Sequence, residues 1–124
     1  MGLRRIGIVE IQVHDWPAAV KWYTEVLGLR AELLEDDDQY GWLGLPEGDA
    51  RIALYGEGRV RNPKLRSRCL PSVEVENIAE TVRDLEGRGV EVLDGPTVSD
   101  EGYTDAHIAD LEGNLIELYE LAKL

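Results

Sequence analysis

His107 and Glu117 fall in two strand patterns, Thr104–Ala109 and Leu115–Tyr119, that a short turn should make neighbours. A histidine beside a carboxylate can move protons, the carboxylate orienting the imidazole while its other nitrogen meets substrate. The same pair also reads as a structural hydrogen bond filling a polar gap. Alternation widens the candidate set, because successive strand side chains point to opposite faces. Glu10, Gln12, Trp42, Tyr55, Ser72, Tyr103, Asp105 and Tyr119 share the parity of His107 and Glu117, along with Tyr40, Arg51 and Ala53. Such a face is aromatic and net acidic. It suits a ligand with a flat or greasy surface and a positive or hydrogen-bond-donating group. Trp42 and the tyrosines read equally as stacking groups and as packing. Glu10, His107 and Glu117 together would offer three metal donors, but a site must also meet distance and angle demands. The expectation is therefore no metal and no other cofactor.

The elements that must hold these residues come as a repeat. Ile8-Val9-Glu10-Ile11-Gln12-Val13-His14-Asp15 recurs 62 positions later as Leu70-Pro71-Ser72-Val73-Glu74-Val75-Glu76-Asn77. The same offset carries Trp16, Val20 and Tyr23 onto Ile78, Val82 and Leu85, so two amphipathic helices superpose as well. Asp15 can cap the first helix, Pro17 suits its opening turn, and Trp16, Val20, Tyr23 and Leu27 form its apolar stripe up to a stop at Gly28. Strands are expected at about Arg30–Leu34, Tyr40–Leu45 and Arg51–Tyr55. In the second copy they are expected near Leu70–Val75, Val90–Leu93, Thr104–Ala109 and Leu115–Tyr119, with a helix between Ile78 and Arg88. Each half is strand, helix, strand, strand, strand. Val9, Ile11, Val13, Ile52, Leu54, Val73, Val75, Ile108, Ile116 and Leu118 share the face that the helices should cover. His14 reads as a solvated or capping group at a strand end, and Glu35 to Asp38 as a solvated turn.

Composition narrows the classes of partner. A net charge of −12 over 124 residues argues against nucleic acid and against an anionic membrane surface. A single cysteine, Cys69, precludes an internal disulfide, reads as a small core residue and suits a reducing cytoplasm. Neither a signal peptide nor a membrane-spanning run is expected from Met1-Gly2-Leu3-Arg4-Arg5 onward. Between the halves, Arg59 to Arg68 holds five of the thirteen basic residues. It reads as a solvated linker, or alternatively as a strap contacting an anion or a second subunit.

Val13-His14-Asp15 through Lys21-Trp22-Tyr23-Thr24-Glu25-Val26-Leu27-Gly28-Leu29 resembles the first module of the vicinal oxygen chelate superfamily. That group includes glyoxalase I, bleomycin-resistance proteins, extradiol dioxygenases and fosfomycin-resistance enzymes. Asp110-Leu111-Glu112-Gly113-Asn114-Leu115-Ile116-Glu117-Leu118 resembles its closing motif, with Leu111 where proline is usual. The resemblance covers nearly the whole chain. It implies an α+β fold in which two βαβββ modules form a curled mixed-sheet cup, commonly as a homodimer. One domain over 1–124 is expected, with modules at about 1–58 and 69–124 and the basic linker at 59–68.

The resemblance also implies four metal ligands, typically His or Gln, Glu, His and Glu, two from each module. Those positions hold Ile8, Ala53, Leu70 and Glu117 here. Hydrocarbon side chains have no lone pair to give a cation. The family metal chemistry is therefore not expected. What the resemblance leaves is a small-molecule-binding protein of the bleomycin-resistance kind. The rival is a metal-independent isomerase, epimerase or lyase that uses Glu117 and His107.

Overall fold

Alternating strands and capped amphipathic helices form where the residue patterns put them in the computed structural model, which describes residues 2, 4–57, 70–100 and 102–122. The basic linker Arg59–Arg68 and Cys69 lie outside the described residues. The chain divides into two compact units, Met1–Arg66 and Ser67–Leu124. In the first, β1 (Ile8–Gln12), α1 (Trp16–Glu25), β2 (Arg30–Glu35), β3 (Tyr40–Gly44) and β4 (Arg51–Tyr55) make a sheet of order β1-β4-β3-β2. In the second, β5 (Ser72–Glu74), α2 (Ile78–Gly87), β6 (Glu91–Val98), β7 (Tyr103–Ala109) and β8 (Leu115–Leu121) make β5-β8-β7-β6. Each sheet is mixed, the first strand of each unit running parallel to the last and the other pairs antiparallel. The fold is α+β with two βαβββ modules.

Side-chain oxygens start both helices. The Asp15 carboxylate accepts from the Ala18 amide at 3.1 Å, and the Asn77 side chain accepts from the Glu80 amide at 3.1 Å. The Ile78 amide, one of the orphan donors of α2, is taken by Glu120 Oε1 at 2.7 Å. α1 stops at Glu25, earlier than Gly28 suggests. Gly28 lies past the end at φ 77° and lets the Leu29 amide turn back to the Tyr23 carbonyl.

The helices bury the faces that alternation assigns them. In the first unit Tyr23, Leu43, Leu54 and Val13 are the largest fully buried side chains, and the buried Trp16 indole donates to the Leu54 carbonyl at 3.0 Å. Ala19 joins this core, whereas Val20 and Leu27 of the expected stripe are only half-buried. In the second unit Ile108 and Ile116 are fully buried, and Ile78, Val82 and Leu85 of α2 are buried with them.

β6 departs most from its pattern. Asp94-Gly95-Pro96 reads as the end of a strand, yet pairing to β7 continues to Val98 through two register shifts, at Val92/Asp94 and Asp94/Thr97. Two facts reconcile this. β6 is an edge strand, so a proline costs the sheet no inner hydrogen bond. Gly95, at φ 86°, lies so close to β7 that a Cβ would stand 2.8 Å from the Ala106 Cα. Smaller differences are a shorter β5, a β7 that begins at Tyr103 and a β8 that extends to Leu121. Truncating Leu54 to alanine should open a cavity under Trp16 and Tyr23 and cost about 2–5 kcal/mol. Urea unfolding of Leu54→Ala against the parent chain measures it.

Candidate functional site

The site on the second sheet depends on the turn that joins β7 to β8. Asp110 is the one buried charged residue among those described. Its Oδ1 accepts from the Glu112 and Asn114 amides at 2.8 and 2.9 Å, and its Oδ2 from the Asn114 side-chain amide at 2.9 Å. Its own amide donates to the Asn114 carbonyl, and Gly113, at φ 86°, supplies the left-handed residue. The turn therefore fixes which residues face each other above it.

That register sets His107 opposite Glu117, Ser72 beside Glu117, and Asp105 opposite Tyr119. Ser72 Oγ donates to Glu117 Oε1 at 2.5 Å. Glu117 Oε2 lies 3.6 Å from His107 Nε2. On its other side the imidazole meets a residue that alternation did not reveal, with His107 Nδ1 2.7 Å from Asp94 Oδ1. The same carboxylate also accepts the His107 backbone amide at 3.2 Å. Asp94 reaches that position because the register shifts of β6 turn it toward β7. In the sequence it precedes Gly95-Pro96, the strongest local stop signal, and so reads as a loop residue. Asp94, rather than Glu117, is the carboxylate that orients the ring.

Three carboxylates, Asp94, Asp105 and Glu117, thus surround one imidazole. Among the described residues Asp94 and Glu117 each form an ion pair with His107, and Asp105 turns a carboxylate oxygen into the same space. The crowding moves protons. The hydrogen bond with Glu117 raises the Asp105 pKa, with burial and the Glu117 charge adding to it. Glu117 is lowered instead, chiefly by the Ser72 hydroxyl. His107 is raised by its hydrogen bond to Asp94 against an opposing effect of burial. A hollow of about 310 Å³ opens beside this group, lined by Ser72, Tyr103, Glu117, Tyr119 and Leu121. A larger depression of about 640 Å³ follows the flank of α2 from Glu76 to Asp84, but among the described residues its lining holds neither an aromatic ring nor a histidine.

The first unit gathers a different group. Glu10 and Trp42 both lie across from Ala53, while Gln12 and Tyr40 both lie across from Tyr55. Tyr40, Ala53 and Tyr55 are buried together, with Leu33 and Trp42 packed against them. The Trp42 indole donates to the Tyr40 hydroxyl at 2.9 Å, and that hydroxyl donates to Glu10 Oε2 at 3.4 Å. Glu10 therefore has a partner within its own unit, and the residue that joins His107 and Glu117 is Asp105. Arg51 lies 5.1 Å over the Trp42 ring and donates to Glu32 at 2.7 Å. Glu32 is held below the usual carboxylate range by that hydrogen bond. Gln12 is exposed, and the exposed His14 ring pairs with Glu57 at 2.5 Å.

The positions corresponding to the family's metal ligands do not fit a cation. Ala53 is fully buried between Ile52 and Leu54, Ile8 and Leu70 present partly exposed hydrocarbon, and only Glu117 carries a donor.

Known proteins share this architecture. The family described as Glyoxalase/Bleomycin resistance protein/Dioxygenase superfamily matches residues 5–118. The uncharacterized protein YraH of Bacillus subtilis (strain 168) is 27% identical over 124 residues, spanning 91% of this chain and 95% of that protein. The crystal structure of TnmS3, an antibiotic binding protein from Streptomyces sp. CB03234, is 20% identical with a TM-score of 0.81, covering 98% of this chain and 99% of its own. A superfamily member from Sphaerobacter thermophilus DSM 20745 is 23% identical with a TM-score of 0.76, covering 95% and 98%. At such identities the structures establish the fold. No helix among the described residues is long and apolar enough to cross a membrane.

The Asp94–His107 contact has a measurable signature. In metal-free protein the His107 ring should titrate above the free-histidine value of 6.5, and Asp94→Asn should lower that midpoint, as read by the ring-proton NMR shifts. Because the folded-state pKa is the higher, the stabilisation is complete below 6.5 and is lost as pH rises through the folded midpoint. Unfolding measured across that window should show the loss in the parent chain and less of it in Asp94→Asn.

Proposed function

Because the chain belongs to the glyoxalase/bleomycin resistance protein/dioxygenase superfamily yet keeps only Glu117 of the four expected metal donors, we propose that it binds a small hydrophobic or cationic molecule without the family metal centre. The observation that carries this reading is the face of the second sheet. Glu117 lines an open hollow with Tyr103 and Tyr119, Asp105 lies close to Glu117, and no lysine or arginine among the described residues pairs with either carboxylate. Carboxylates left without a strong cation favour a positively charged or hydrogen-bond-donating guest, and tyrosine rings favour a flat one. Ser72 completes that surface. Glu10, Gln12 and Trp42 form the corresponding surface of the first module, with Tyr55 buried behind it. TnmS3, an antibiotic binding protein of the same fold, supports a binding role here. In this reading the chain works as one cytoplasmic domain of two modules, assembled as a homodimer.

A cationic acridine dye tests the proposal. Saturable micromolar binding is expected, read by quenching of tryptophan and tyrosine fluorescence and weakened by salt. Glu117→Gln should reduce it roughly tenfold or more, since a hydrogen bond to a charged group contributes about 1.5–3 kcal/mol. Absence of saturable binding, or an affinity indifferent to Glu117→Gln and Tyr119→Ala together, would overturn it.

The Asp94–His107 contact favours a second reading, a metal-independent isomerase, epimerase or lyase. Asp94 would hold the imidazole while His107 and Glu117 pass protons to and from a substrate carbon. For any substrate turned over by the parent chain, His107→Ala should abolish turnover with the fold retained by circular dichroism. Turnover surviving in both His107→Ala and Glu117→Gln removes this reading.

A further inference from the structure

We propose that Asp105, His107 and Glu117 form a binding site for one borderline divalent cation, of the zinc or manganese type, in which two residues outside the family's ligand positions join Glu117, the one family donor that the chain keeps. The three residues each turn one donor atom into a common space, and all three atoms lie within 4.8 Å of one another. Two adjacent strands produce this convergence. Asp105 and His107 alternate onto the same face of β7, and Glu117 of β8 lies directly across from His107.

The distance between His107 Nε2 and Glu117 Oε2 is the informative one. At 3.6 Å it is too long for a hydrogen bond. Two ligands bonded to one tetrahedral cation at about 2.0–2.2 Å stand roughly 3.3–3.6 Å apart. The spacing therefore suits an ion between the two atoms better than a proton.

The supporting residues are those a metal site requires. Asp94 accepts from His107 Nδ1 at 2.7 Å, which leaves the Nε2 lone pair facing Glu117. Ser72 occupies Glu117 Oε1 and leaves Oε2 for the ion. One imidazole and two carboxylates form a mixed nitrogen and oxygen set, which suits zinc or manganese; calcium would need six or more oxygens. The ion would relieve the crowding of the carboxylate charges. Its remaining coordination positions would face the hollow beside Tyr103 and Tyr119, open to water or to an oxygen of a bound molecule.

The inference concerns the same face as the proposed binding function, but its test contains no organic ligand. The full chain, tag-free and stripped with EDTA, is titrated with Zn²⁺ by calorimetry and with Co²⁺ by visible absorption. Uptake of one ion per chain is expected, with the ligand-field bands of four- or five-coordinate cobalt. His107→Ala should abolish it while circular dichroism confirms the fold. Asp94→Asn and Ser72→Ala, which alter only the supporting contacts, should weaken it by about 10- to 100-fold. His14→Ala, at the other histidine, should leave it unchanged. No saturable uptake overturns the inference, and so does uptake that survives His107→Ala or disappears in His14→Ala. Dye binding by the metal-free chain would still stand in either case. Saturation with zinc would instead occupy His107 Nε2 and so exclude its service as a proton carrier.

Discussion

The buried carboxylate of Asp110 is the contact on which the rest of the second sheet depends. A charge taken out of water is costly unless hydrogen bonds replace the lost hydration, and here three donors do so within five residues. The reversal between β7 and β8 is thereby held to one geometry. Register follows from it, because a slip of one residue would send His107 and Glu117 to the helix-covered face and Ile108 and Ile116 to the open one. The hydrophobic core and the polar site are thus two readings of one pairing. Neither could change register without the other.

The two modules share a plan and differ in what they place on it. Hydrocarbon stands at three of the positions where the family resemblance implies metal ligands. The first module fills its helix-free face with stacked and hydrogen-bonded groups: Arg51 over Trp42, Trp42 to Tyr40, and Tyr40 to Glu10. The second keeps carboxylates and an imidazole beside an open hollow. Polar groups of the first face largely satisfy one another, whereas those of the second crowd like charges together and perturb one another's protonation. The second face is therefore the chemically restless half of the molecule.

Much of this was legible in the residues. Period-2 alternation placed Glu10, Trp42, Ser72, Asp105, His107 and Glu117 on the faces they occupy, and the duplication fixed the order of elements. The closing turn made neighbours of the strands that carry His107 and Glu117, and the structure supplies their register. Two partners were hidden for separate physical reasons. Asp94 was concealed by Gly95-Pro96, since a breaker pair says nothing about whether its strand is an edge that can absorb a bulge. Glu32 was concealed because its contact with Arg51 joins β2 to β4 across the intervening β3, and spacing along one strand does not report such reach. Tyr55 illustrates the remaining gap. Its parity is right, but burial depends on neighbours that alternation cannot supply, and in the folded chain only 8% of it is exposed.

The irregular course of β6 has a consequence beyond the placement of Asp94. A straight outer strand offers its free amides and carbonyls to any other polypeptide that can extend the sheet. Pro96 removes one of those donors, and the two register shifts bend the rest out of line. This border should resist the stacking of one molecule on the next that leads to fibrils. The distortion that brings an acid to the imidazole also helps keep crowded copies of the protein apart.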